Sequence, residues 1–249
     1  MSRSKRSAVI GSRVIEENRT GEDLAGQYSL SQMSESLATL AFDCATGAAS
    51  VAVRLDGVTL VVRDVSGRNH AEAMLPAIAD AVACSGLVWE RIGLIAVTVG
   101  PGRFTGLRIG LAAARGLALA RRIPIAGVST ADLLAAQVAP GALAGRRLLV
   151  AIDSRREDHF VQLFDENRRV LDELRALDAR QALARYGGAM LVVGDAAPAF
   201  LALRPDLEVA PSRPWADALA GLAERRRANG LALTAEPLYL RPPDAALPS

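Results

Sequence analysis

The sequence predicts an α/β protein of two lobes, each opening with a hairpin-built sheet to which helices are added. Three observations carry that expectation. Ile92 to Val99 is apolar and largely β-branched, as a strand covered on both faces requires, and the turn Gly100-Pro101-Gly102 delivers it to a helix starting near Thr105. Short β-rich segments alternate with helical ones along the rest of the chain. After a loop at Gly141 to Gly145 the pattern starts again, which puts the joint between lobes near residues 128 to 145.

The elements run in this order. Leu37 to Asp43, Ser50 to Leu55 and Thr59 to Arg63 read as a three-strand meander, with Asp56-Gly57 as a hairpin turn. Asn69 to Ser85 is an amphipathic helix with Ala71, Met74, Leu75, Ile78 and Val82 on one face and Pro76 inside it. The strand to Val99 leads into a helix running to about Arg122, a short strand Ile125 to Val128, and a further helix capped by Ser129-Thr130. The second lobe supplies strands Leu148 to Asp153, His159 to Phe164 and Val170 to Leu174. A helix from Asp178 to Tyr186, a strand Met190 to Val193, and helices at Ala197 to Leu203 and Trp215 to Asn229 complete it.

Ahead of these elements, Met1 to Gln32 is polar and lacks any sustained period, so the expectation is a disordered extension over 1–36, a first lobe over 37–130 and a second over 131–249. Glu16, Glu17, Glu22 and Asp23 count against a mitochondrial presequence, and Met33 offers an alternative start just before the first strand.

Composition narrows the class. A chain of 249 residues with 51% hydrophobic content and a net charge of +2 reads as globular. Arg103, Arg108, Arg115, Arg121 and Arg122 interrupt the longest apolar run, so no membrane span is expected. Cys44 and Cys84 suggest neither a disulfide framework nor a zinc site. The near-neutral charge argues against a dominant nucleic-acid footprint, while a pI of about 8.8 leaves room for a weak one.

The glycine turn resembles a phosphate loop but carries Leu107-Arg108 after Gly106 where a Walker A loop needs Lys and Ser or Thr. The helix after it offers small residues instead: Gly106, Gly110, Ala113, Ala114 and Gly116. Each interior glycine costs about 1 kcal/mol relative to alanine, so close packing must compensate. Packing onto the chain's own sheet and packing onto a partner's helix both satisfy that demand.

Several strings occur together and in order: Leu40 to Thr46, His70-Ala71-Glu72-Ala73-Met74-Leu75-Pro76, Gly100 to Arg108, Gly127-Val128-Ser129-Thr130, Asp153-Ser154-Arg155-Arg156 and Pro237-Leu238-Tyr239-Leu240-Arg241. Over residues 38–241 the chain resembles the TsaB (YeaZ) family. Cys44 and Gly47 stand where Thr and Glu are usual, and Phe160 where Tyr is frequent. The resemblance implies the two-lobed actin/Hsp70/sugar-kinase-like (ASKHA) fold with a reduced second lobe. It also implies a cytoplasmic, non-catalytic partner of TsaD in placing threonylcarbamoyl on adenosine 37 of tRNAs that read ANN codons. TsaE and tRNA join through that complex; separately, an apolar partner face left uncovered is expected to pair with itself, as a homodimer, when TsaD is absent.

Partner contacts are then expected at His70, Met74, Leu75, Ile78, Gly106, Arg108, Gly110 and Leu111, with Asp43 and Thr46 as the remnant of a nucleotide site. No catalytic residue, metal or cofactor is expected. TsaD holds metal with a His-x-x-x-His pair, whereas here Met74 follows His70 at that spacing and His159 is the only other histidine. His159, alternating along a strand, reads as structural. Asp153 and Arg155 read as an ion pair, and Arg225-Arg226-Arg227 as a solvated helix face with tRNA contact as its alternative. A glycopeptidase-like or nucleotide-hydrolysing enzyme, and a self-associating regulatory protein, are the competing function classes.

Overall fold

The computed structural model describes residues 36–240, apart from 47–48, 66–68, 211–214 and 232. The expected disordered extension therefore lies outside the described residues, save Ser36. Strands β1 (Ala38–Asp43), β2 (Ser50–Leu55) and β3 (Val58–Asp64) form the meander. Its tight turn puts Asp56 and Gly57 at φ 50° and 77°, the paired left-handed geometry that two-residue hairpins need. Helix α1 (His70–Cys84) starts where the Asn69 side chain accepts the Ala71 N–H, and it leads through a 3-10 turn to β4 (Ile92–Gly100). Helix α2 (Phe104–Arg121) and β5 (Ile125–Ser129) complete the first sheet, ordered β3-β2-β1-β4-β5. β1 runs antiparallel to β2 and parallel to β4, as β4 does to β5.

Helices α3 (Thr130–Gln137) and α4 (Pro140–Leu143) lead to β6 (Arg147–Asp153), β7 (His159–Phe164) and β8 (Arg175–Leu177). Helix α5 (Ala179–Tyr186), β9 (Met190–Val193), α6 (Ala197–Leu203) and β10 (Glu208–Val209) come next. The order β10-β9-β6-β7-β8, read from its other end, repeats the first sheet strand for strand. A meander followed by two parallel strands is thus used twice, once in each lobe. The second copy is reduced: α5 and α6 have 8 and 7 residues where α1 and α2 have 15 and 18.

Three details depart from the sequence reading. The last helix, α7 (Ala216–Ala228), was expected in the second lobe but buries Ala216, Leu219, Ala220 and Ala223 against Ala41, Ala96 and Ala126 of the first sheet. The chain thus returns to finish the lobe it began. Strand β8 begins at Arg175 rather than Val170, because the Asp165 carboxylate holds a turn by accepting the N–H groups of Asn167 and Arg169 at 2.8 and 2.7 Å. Val170 then makes a single bridge to Phe164. Helix α4 and the two-residue β10 carry too few residues to show a period. Helix α3 ties the lobes together, placing Leu133 in the first core and Ala131, Leu134 and Ala135 in the second. No helix among the described residues is long and apolar enough to cross a membrane.

Candidate functional site

The glycine turn and α2 rest directly on the end of β1. A Cβ on Gly102 would lie 2.0 Å from the Ala45 carbonyl oxygen, and one on Gly106 1.9 Å from that of Cys44. Arg103 donates its N–H to the Ala45 carbonyl, and the Cys44 thiol donates to the Gly106 carbonyl at 2.9 Å. Burial pushes the Cys44 thiol up to about 12, so it acts as a small packed hydrophobe. One helical turn on, a Cβ at Gly110 would meet Cys44 Sγ at 3.1 Å and Val97 at 3.5 Å.

These contacts correct the expected partner surface. Gly106 and Gly110 are buried against β1 and β4, and Leu111 is 4% exposed. On α1, Met74 and Ile78 are also buried. All five serve the chain's own core, since the closest helix approach is onto its own sheet. Of the expected contacts Leu75 and Arg108 stand outward, while His70 is the first residue of α1. The exposed face is offset by about a quarter turn on α1, where it holds Ala71, Leu75, Ala79 and Ala83, and by about half a turn on the adjacent α2, where it holds Arg108, Ala112, Gly116 and Leu119. Leu119 is 85% exposed. Sequence periodicity missed this face because α2 is lined by small residues on opposite sides.

A second feature was absent from the sequence reading. After α7 the chain runs extended beside β5 and over the glycine turn. Gly127 donates its N–H to the Thr234 carbonyl at 2.9 Å, and Leu238 donates to the Val99 carbonyl at 2.7 Å. The Arg115 guanidinium donates to the Ala235 carbonyl at 3.0 Å. Tyr239 reaches Phe104 with ring centroids 5.9 Å apart, and the Arg108 guanidinium lies 3.6 Å above the Phe104 ring.

Asp43 and Thr46, expected as a nucleotide-site remnant, are both interior. Asp43 Oδ1 accepts from Thr98 Oγ1 and from the Ala45 N–H, and Oδ2 has no hydrogen-bond partner among the described residues. Burial raises this carboxyl to about 7, against the pull of those two hydrogen bonds. Gly102 and Gly106, at the start of α2, pack directly on the carbonyls of Ala45 and Cys44, and the Arg103 N–H ahead of the helix is taken by the Ala45 carbonyl.

In the second lobe Asp153 pairs with Arg155 at 3.3 Å, as an ion pair, and the Asp195 carboxylate accepts the Asp153 N–H at 2.8 Å. The His159 ring lies 5.7 Å from that of Phe200 in a tilted arrangement. The arginine run on α7 is not a freely solvated face. Arg226 binds the Gly127 carbonyl and Asp132 at 2.6 and 2.7 Å, and Arg227 binds the Gly93 carbonyl at 3.0 Å. Among the described residues, no three His, Cys, Asp or Glu side chains gather as a metal site requires.

A family model described as TsaD, tRNA N6-adenosine threonylcarbamoyltransferase, matches residues 61–190. The tRNA threonylcarbamoyladenosine biosynthesis protein TsaB of Escherichia coli K12 is 41% identical over 116 residues, covering 47% of this chain and 50% of that relative. The matched stretch thus spans about half the length of this curated relative. An uncharacterized protein of Mycobacterium tuberculosis H37Rv is 35% identical over 219 residues, 83% of this chain and 92% of the relative. The solved structure of YeaZ from Pseudomonas aeruginosa superposes with a TM-score of 0.69 at 25% identity, covering 82% of this chain and all of that one.

Proposed function

The chain belongs to the TsaB (YeaZ) family, and from that premise we propose that it is the non-catalytic partner subunit of TsaD in threonylcarbamoyladenosine synthesis on tRNA. It docks through the outer faces of α1 and α2, and it supports transfer to adenosine 37 of tRNAs that read ANN codons. TsaE and tRNA join through the complex, in the cytoplasm, and the chain without TsaD pairs with itself through the same face. One observation carries this reading: two adjacent long helices, both retained in the fuller lobe, turn stripes of small and apolar residues outward, with Leu75 54% and Leu119 85% exposed. Small residues let a partner helix approach closely, and exposed leucines gain most from being covered.

Leu75→Glu and Leu119→Arg place charges on this face without touching the core. Each is expected to weaken binding to purified TsaD by about 10-fold or more, and the pair together to abolish reconstituted tRNA modification. A folded double variant that binds TsaD with native affinity removes the face from the interface.

A further inference from the structure

Among the described Phe, Trp and Tyr residues, Phe104 and Tyr239 are the two that stand exposed, at 46% and 47%, and they touch each other. An exposed aromatic pair is a poor use of apolar surface unless something covers it. Its surroundings are cationic. Helix α2 contains no Asp or Glu, and Arg108 lies over the Phe104 ring. Arg115, seven residues on and therefore on nearly the same face, clamps the extended segment that carries Tyr239. Glu236 reaches Arg115 only at 4.0 Å and is itself 86% exposed, so the patch keeps a positive balance. Leu238, bonded to the end of β4, holds the segment in place beside the ring pair.

We propose that Phe104, Tyr239, Arg108 and Arg115 form a stacking platform for single-stranded RNA, through which this chain itself contacts the nucleic acid. Flat rings accept any base on a π face, and guanidinium groups beside them meet the phosphates. The backbone carrying each ring is held before binding, Phe104 by the first turn of α2 and Tyr239 by the strap anchored at Leu238, which lowers the ordering cost. That the RNA is a tRNA rests on the proposed function; the stacking chemistry does not.

The test is fluorescence anisotropy of a labelled single-stranded octaribonucleotide with the full chain alone, across a salt series. Binding is expected, with affinity falling as salt rises. Phe104→Ala and Tyr239→Ala should each weaken it about 5- to 150-fold, while Phe104→Tyr and Tyr239→Phe, which keep a π face, should restore it. Arg108→Ala should weaken it more than Arg122→Ala at the far end of α2. Absence of binding, ring-to-alanine variants that bind as well as the parent, or equal loss with Arg122→Ala would overturn the proposal. So would a free mononucleotide competing as well as the octamer. TsaD capture by the same variants separates the two readings. Ring variants that lose TsaD but keep RNA make the platform a protein contact and end this proposal, whereas Leu75 and Leu119 variants that keep TsaD end the proposed interface and leave the platform standing.

Discussion

Three glycines on α2 make opposite demands, and replacing each by alanine reads them separately. Alanine is favoured over glycine in a helix interior by about 1 kcal/mol, so every substitution starts from that gain. At Gly116 nothing among the described residues lies within 4 Å of the added methyl, and the residue is exposed. The gain should appear undiminished, which for a chain of this size corresponds to about 2–4 °C in Tm. At Gly110 the methyl meets Cys44 Sγ at 3.1 Å and Val97 at 3.5 Å, both side-chain atoms that can give, and the result should lie near zero. At Gly106 the nearest atom is a backbone oxygen at 1.9 Å, with the Cys44 carbonyl carbon at 3.1 Å. The helix must lift from β1, breaking the bond from the Cys44 thiol, at an overpacking cost of about 3–4 kcal/mol. The net loss is about 2–3 kcal/mol, or roughly 4–12 °C. Thermal melts and urea titrations of the three variants check this. A Gly106→Ala protein as stable as the parent, or a Gly116→Ala protein that loses stability, would refute the placement of α2.

Asp43 gives a pH prediction whose sign is set by burial. Its folded carboxyl is raised from 3.8 to about 7, so between those values the folded state holds a proton the unfolded chain has released, and stability falls as pH rises through that window. Asp43→Asn, which keeps an acceptor for Thr98 and Ala45, should remove the slope; urea titrations at pH 5 and 7.5 should show the parent losing about 2–3 kcal/mol relative to the variant. Adjacent residues of α1 should behave oppositely: Met74→Ala costs about 2–5 kcal/mol because the side chain is fully buried, while Leu75→Ala stays within about 0.5 kcal/mol by the same chemical melts. On α7, Arg226→Ala should cost about 1–2 kcal/mol by releasing the Gly127 carbonyl and Asp132, and Arg225→Ala, exposed, should be near neutral in the same titration.

The strand, glycine turn and helix of the first lobe were legible because each signal there is local. Apolar residues, half of them β-branched, fill Ile92 to Val97, glycine ends the strand, and small residues continue into the helix. The direction in which α2 faces was not legible. Gly106, Gly110 and Ala114 line its inner side, while Ala112, Gly116 and Ala120 line its outer side, so hydrophobic contrast between faces is low. Met74 and Leu75 show the same weakness: neighbours about 100° apart on a helix cannot both face inward at full depth, and size alone does not choose between them. The period of α7 is visible in Ala216, Leu219, Ala220 and Ala223, but which sheet it covers is a long-range choice that no local pattern encodes. The strap from Thr234 to Tyr239 has no period at all, since what ties it to the sheet is backbone bonding to Gly127 and Val99.

The duplicated topology explains why the glycine string is needed. Asp43 and Asp153 close the first strand of their respective lobes, yet one is fully buried and the other retains 28% side-chain exposure and an arginine partner. The difference lies in the helix beyond the fourth strand of each lobe. In the second lobe Gly194 leads into a helix of 7 residues. In the first, an 18-residue helix is laid with Gly106 against the Cys44 carbonyl, and that contact seals the strand end and its carboxyl. Gly102 and Gly106 are therefore packing requirements, set by two carbonyls. Residues offset by two positions from those inward glycines point about 200° away on the helix. Phe104 precedes Gly106 by two, and Arg108 precedes Gly110 by two, so the string that seals the interior also fixes the ring and the guanidinium that face outward.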